Sequence, residues 1–305
     1  MAQSWAEEGR LGIEPAAGAG APPPTGRLSD ILYQFRGNPA TIAGAVILGI
    51  VVLAAIIVPE FPPYPPYAVD LNIASIGPTW AHPFGTDQYG HDIFTRVLIA
   101  ARLDLEIALS AVAFSLSIGV LIGAVAGFLG RWVDEGLMRT QDVLQAFPRF
   151  VFAMAVAWAM GAGVFTVIVA TAAINVPGYA RLMRNLMLTA KESEYALAAV
   201  AVGNTRLRLL WRHLLPNTLV PIIVVSTLQC GWAILEAAGL SFIGLGVRVP
   251  RAEWGVMISM GLQDFLNGHW WIYTFPGLAI AFTVLGFNLL GDGLQDILDP
   301  RRRRA

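Results

Sequence analysis

The chain has 305 residues, 56% of them hydrophobic and 13% charged, with a formal net charge of −1 and a mean hydropathy of +0.61. A soluble domain carries roughly 25% charged residues, so this composition excludes an ordinary water-soluble fold and indicates a polytopic membrane protein, each span needing about 20 apolar residues. The single cysteine, Cys230, excludes an intrachain disulfide.

The elements follow in chain order. Residues 1–38 form a polar tail: MAQSWAEEGR has no apolar stretch of the kind a cleavable signal peptide needs, and PAAGAGAPPPTG at 15–26 reads as a disordered linker. Ala40–Val58 is free of charge and gives a first span over 39–58. A long polar segment, 59–103, contains HPFGTDQYGHD at 82–92, with His82, Asp87, His91 and Asp92. Four such side chains could bind a metal, but Gly85 and Gly90 signal turns. The alternative is a structural loop in which Asp92 starts an interfacial helix. Ile107–Leu129 gives a second span within 104–130. Its Gly119, Gly123 and Gly127 share one helix face and allow close backbone approach, either inside this chain or to a partner subunit.

From Phe150 to Ala180 the chain has no charge. That is long for one span and short for two, unless a hairpin turns at Gly161-Ala162-Gly163 and its first arm starts near Gln141. The arms would then be 141–160 and 163–183. A charged loop, 184–217, follows, then a fifth span at 218–246 broken by Glu236, a second polar segment at 247–269, a sixth span at 270–291 and a tail at 292–305 ending in Arg301–Arg304. Cytoplasmic loops are enriched in Lys and Arg. Six spans place all three basic regions on the cytoplasmic side: the first tail, the 181–212 region and the last tail. Five spans would split them. The expectation is therefore an all-α protein with six transmembrane helices, both termini cytoplasmic and 59–103 and 247–269 periplasmic. Trp254, Trp270, Trp271 and Tyr273 are expected in an outer aromatic belt.

The loop KESEYALAAVAVGNTRLRLLWRHLLPN, 191–217, combines Lys191, Arg206, Arg208 and Arg212 with an apolar face on which Ala198, Ala199 and Gly203 present almost no side chain. This is the pattern of a surface that docks another molecule. No Gly-Lys pair exists, so a phosphate-binding loop is absent. Uphill transport would need a separate ATPase or an ion gradient. Glu236 is the one acid deep in a span, which makes it a functional candidate. Asn175, Gln229 and Asn288 are polar at similar depth and could line a path or bond between helices.

The loop carries Ala198-Ala199, Gly203 and Leu215-Pro216 at the spacings of the EAA motif, and the chain resembles inner-membrane permease subunits of ABC importers in the dipeptide/oligopeptide/nickel branch. Leu197 stands where the motif has Glu, with Glu194 one turn earlier on the same face, and His213 occupies a usually apolar position. HPFGTDQYGHDIFTRVL, GRWVDEGLMRTQDVLQAFP, PGYARLMRN, LEAAGLSFIGLGVRVPRAEWGVMI and PGLAIAFTVLGFNLLGDGLQDILDPR extend the resemblance over about residues 80–301. It implies the type I permease fold, with a cytoplasmic coupling helix between spans 4 and 5 ended by Gly203 and a second helix from Arg206 broken by Pro216. It implies ATPase coupling through Glu194, Tyr195, Ala198, Ala199, Gly203, Arg206, Leu215 and Pro216. Asn175, Gln229, Glu236 and Asn288 remain candidates for the pathway or its gate. The resemblance also implies a bacterial inner-membrane location among lipid and no catalytic residue, metal or nucleic-acid partner. The implied partners are a homologous permease, two cytoplasmic ATPases that bind ATP and Mg, and an extracytoplasmic solute-binding protein. The implied cargo is di- or oligopeptides, with nickel chelates or opines as alternatives. An ion-driven transporter using Glu236 is a reading of a different class.

Overall fold

A computed structural model describes residues 38–298; the expected first tail, 1–38, lies outside them apart from Asn38, as does 299–305, with Arg301–Arg304, of the expected last tail 292–305, whose first residues instead continue the helix of the sixth span to Leu298. The described residues are helical, joined by turns and one isolated antiparallel bridge between Thr86 and Asp92. We label the helices α1 (Pro39–Ile57), α2 (Ile93–Leu129), α3 (Arg131–Gln145), α4 (Arg149–Met160), α5 (Val164–Lys191), α6 (Glu194–Ala201), α7 (Arg206–Phe242), α8 (Trp254–Gly261) and α9 (Trp271–Leu298).

Side-chain and proline chemistry sets the helix ends. Asn38 caps α1 by accepting from the amides of Ala40 and Thr41, with Pro39 in the first turn. Asp92 caps α2 through the Thr95 amide at 2.7 Å. The helix it starts is not a separate interfacial piece: it runs unbroken into the second span for 37 residues, about 55 Å at 1.5 Å per residue. That is well beyond the roughly 30 Å apolar core of a bilayer, so the outer end of α2 stands in the polar segment. There it is clamped. Trp254 is buried and its indole donates to Val97 O at 2.9 Å, so it belongs to the core and not to an aromatic belt. Trp271 donates to Thr86 O at 3.1 Å, and Phe84 stacks on Phe275.

The glycine ridge of α2 packs inside this chain. A Cβ on Gly119 would stand 2.5 Å from that of Tyr179, and one on Gly127 would stand 2.8 Å from that of Met187; Gly123 meets Ala180 and Met183. The order 119–123–127 against 179–183–187 makes α2 and α5 parallel, and Lys191 Nζ reaches Gly127 O at 3.3 Å. Parallel neighbours require the intervening chain to return to the other side of the membrane. From the level of Gly127 back to Val164 is about 35 Å of α5 at 1.5 Å per residue.

The return is made by α3 and α4, bent by 89°, so the expected single arm at 141–160 is two helices. Pro148 has no amide proton to continue the ladder of α3 and disfavours helix at Phe147. α3 crosses obliquely, pairing Asp134 with Arg184 and, eight residues on, Asp142 with Arg181 at 2.9 Å. α4, at 12 residues, supplies only about 18 Å and runs antiparallel to α5, tucking Ala153 and Ala157 against Val167, Ala170 and Ile174. Gly161 at φ +79 makes the expected turn. α5 then continues to Lys191, absorbing the start of what sequence assigns to the charged loop.

Two further expectations change. α7 does not break at Pro216. Leu209–Leu214 widens into a π-helical turn in which the Leu215 amide bonds to Leu210 O, and this register shift accommodates Pro216 inside one continuous helix. That helix ends at Phe242, short of the expected 246. α7 packs antiparallel on α9 through Gly231 and Gly291, and α9 antiparallel on α1 through Gly293 at Thr41 and Gly44 at Leu289. The start of α1, the 192–205 loop and the end of α9 therefore share one face of the bundle.

Candidate functional site

The polar candidates of the membrane interior converge on one node. Asn175 stands on α5; Gln229 and Glu236, two turns apart, share a face of α7. Asn175 Nδ2 donates to Glu236 Oε2 at 2.9 Å and to Thr171 O at 2.8 Å, while Asn175 Oδ1 accepts from Gln229. Arg149, the first residue of α4, completes the node: its Nη2 is 2.7 Å from both Glu236 Oε1 and Asn175 Oδ1. Arg149 is the participant that sequence reasoning missed. The available signal was that an intramembrane acid needs a counter-charge, and Arg149 is the last charge before the long uncharged run. Asn288, on α9, makes none of these bonds, so the structure does not bring it to the site. One turn along, Tyr179 donates to Ser226 Oγ at 3.0 Å, a second tie between α5 and α7.

The node is only partly closed. The Glu236 side chain is 12% exposed and that of Arg149 is 61% exposed. A cleft of about 570 Å³ lies on the side of Asn175 and Gln229, and one of about 440 Å³ on the side of Glu236. Apart from Gln145 in the larger cleft, both are otherwise lined by apolar and aromatic residues. Polar cross-links of this kind contribute about 0.6 kcal/mol each in a membrane, rarely above ~1.7. The node can therefore hold three helices in one arrangement and still be exchanged for another.

At the far end of α5 and α7 stands α6. Gly203, at φ +83, ends it: its amide bonds to Val200 O at 2.9 Å and that of Asn204 to Ala199 O at 3.2 Å, the paired bonds of a Schellman stop. Ala198 and Gly203 are open to solvent, but Ala199 is buried with Ala196 against Leu209, Leu210 and Leu214. The small-residue surface is thus split. Ala199 packs α6 onto its own bundle, and the outward face is built of larger apolar groups: Leu197, 60% exposed, with Val200, Val202 and Tyr195. Glu194 and Arg206 are exposed beside it, as is Pro216, while Leu215 is half-buried.

In the outer segment, the four metal candidates divide into two pairs. His82 Nδ1 is 2.9 Å from Asp92 Oδ1, and His91 Nδ1 is 2.8 Å from Asp87 Oδ2. Each carboxylate also accepts backbone amides, so these side chains serve the turn and the helix cap.

Residues 119–304 match the family described as "Binding-protein-dependent transport system inner membrane component". The chain belongs to this family. Residues 26–78 match the "N-terminal TM domain of oligopeptide transport permease C". Among relatives of the permease, the "Dipeptide transport system permease protein DppC" of Alkalihalophilus pseudofirmus is 40% identical over 270 residues, covering 88% of each chain. The "Probable D,D-dipeptide transport system permease protein DdpC" of Escherichia coli K12 is 40% identical over 271 residues, 89% of this chain and 91% of the relative. The Bacillus subtilis DppC is 39% identical over 275 residues, 90% and 86%.

Proposed function

We propose that this permease is one of two homologous membrane subunits of an ATP-driven importer of di- and oligopeptides in a bacterial inner membrane. The observation that carries the coupling is the outward apolar face of α6, held by a buried Ala199 at the junction of α5 and α7. A contiguous apolar face at the water-exposed end of a bundle calls for a partner. The basic residues of that end, Arg131, Arg139, Lys191, Arg206, Arg208 and Arg212, support a cytoplasmic side for it, and with it for both termini, under the positive-inside rule. The partner is a pair of cytoplasmic ATPases that carry the ATP and Mg; this chain performs no catalysis. A solute-binding protein delivers cargo at the opposite face, and the second permease closes the pathway beside the node. ATP-driven closure of the ATPases shifts α6, and α5 and α7, tied at the node, move with it as a two-state switch. The names of the relatives support peptides as cargo. The ion pair with Arg149 speaks against Glu236 as the free carboxylate of an ion-driven carrier.

The test is purification of the tagged chain from its host membrane. Retention of an ATPase is expected. Val200→Asp combined with Val202→Asp, both on the exposed face, should leave the amount of permease in the membrane unchanged and reduce ATPase retention at least ten-fold. Unchanged retention would overturn the coupling assignment.

A further inference from the structure

The node is more than a tie between helices. Arg149 uses a single nitrogen, Nη2, for both of its hydrogen bonds; Nε and Nη1 donate to no protein atom among the described residues. The guanidinium stands where the two clefts meet, and lines both. They differ in what accompanies Arg149. The larger cleft sets it beside the amides of Asn175 and Gln229. The smaller offers Glu236, flanked by the rings of Phe150 and Trp232. A guanidinium fork is suited to a carboxylate, and a carboxylate with aromatic faces is suited to an ammonium group.

We infer that the Arg149–Glu236 pair is an exchangeable ion pair that receives the terminal charges of a short zwitterionic peptide in transit, the peptide carboxylate on Arg149 and its ammonium group on Glu236. The inference rests on the peptide reading above. An extended dipeptide spans about 7 Å, and either cleft is large enough to hold one of its ends. The exchange solves an electrostatic problem. A charge stripped of water inside a membrane needs a partner. In the empty node the two protein charges partner each other, and in the occupied node each partners one end of the cargo, so no charge is left alone at either stage. Arg149 sits at the start of the short helix α4, next to the Pro148 bend, where displacement of one end of a helix disturbs the least packing. Selection of this kind reads the charged ends and ignores the side chains, as a route for varied peptides requires.

The test is a cycle between protein and cargo. The complete transporter is purified from its host with its binding protein and reconstituted in vesicles. Uptake is measured for a labelled dipeptide, its C-terminal amide and its N-acetyl form, each at saturation and each relative to the unsubstituted transporter with the same compound. Arg149→Gln should lower uptake of the free dipeptide and the acetyl form at least ten-fold, and that of the amide less than three-fold. Glu236→Gln should spare the acetyl form instead. Arg149→Lys, which keeps the charge and the fold, should show the Arg149→Gln pattern at several-fold amplitude if the glutamine variant fails to assemble. Equal losses for all three compounds would show a purely structural tie and overturn the inference while leaving the peptide reading intact. Failure of the unsubstituted transporter to move any peptide would overturn the peptide reading and the inference together.

Discussion

The two faces of α5 are built to opposite rules. Toward α2, three glycines bring the backbones together and fill the seam with Tyr179, Met183 and Met187, and among the described residues the side-chain hydrogen bond across Gly119–Gly127 is that of Lys191 to Gly127 O at its end. Toward α4 and α7, the same helix presents Asn175 and Tyr179 to polar partners and leaves open clefts. A dry seam at native density has one arrangement, because a rotation or slide of one helix would drive glycine positions into side chains. A polar node in a cleft has several, because its donors can change acceptors. The contrast divides the bundle into a spine, α2 with α5, and a working side, where α4 is the short piece.

The largest effect expected from breaking this contrast is on the spine. Gly123 approaches Ala180 and Met183 too closely for any side chain. Gly123→Leu should prevent accumulation of folded permease, since overpacking costs about 1–3 kcal/mol per well-packed site and a leucine must here separate two backbones. Detergent-solubilised size-exclusion profiles of the variant report this directly. A monodisperse peak at the parental melting temperature would mean that the seam yields and that the spine is not rigid.

How far the sequence foretold these two sides follows from what each depends on. Glycines four apart mark a close-packed face whatever meets it, but only the coordinates show that α5 is what meets it. The bent crossing was hard to read because its α3 portion is oblique and charged, and those charges, Asp134 and Asp142, are answered by Arg184 and Arg181 from a distant segment. Glu236, Asn175 and Gln229 were legible as polar groups at membrane depth, yet Arg149 was not, because its role arises from a bend at Pro148 that carries it to the node. The sequence does not tell an outward Ala199 from an inward one, because small residues suit both a docking surface and a tight internal contact, and spacing does not separate the two.

A smaller effect sharpens where the spine ends. At its outer end, Glu253 is buried and caps α8, accepting from the amides of Gly255 and Val256 at 3.1 and 2.8 Å. Burial raises its carboxyl above the usual range of about 4.5, against the pull of those amides. The folded state thus binds the proton more tightly than the unfolded one. The stability this contributes is complete below pH 4.5 and declines as pH rises through the higher folded value. Melting of the purified permease should fall from pH 5 to pH 8, and Glu253→Gln should reduce that slope, since Glu253 shares its proton with the buried Asp104 beside it. An unchanged slope in the glutamine variant would place the titration elsewhere.

The smallest effect probes the working side at its α6 end. Leu197 holds the position where the EAA pattern has Glu, and the structure leaves it 60% exposed on the outward face of α6, opposite the buried Ala196 and Ala199. Among the described residues it is not part of the core, so Leu197→Glu should change melting by less than the equivalent of about 0.5 kcal/mol, the usual range for a surface site. A Glu here would also fall in the first turn of α6, where the helix dipole favours it, next to Glu194, which opposes it. Any large change must therefore come from the partner. If the docking face is matched to an apolar side chain at this point, the substitution should weaken ATPase retention several-fold without altering melting. Equal retention would show that Val200 and Val202 carry the contact and that Leu197 lies at its edge. A drop in melting alone would contradict the exposed placement of Leu197 and with it the division of α6 into an inward alanine face and an outward docking face.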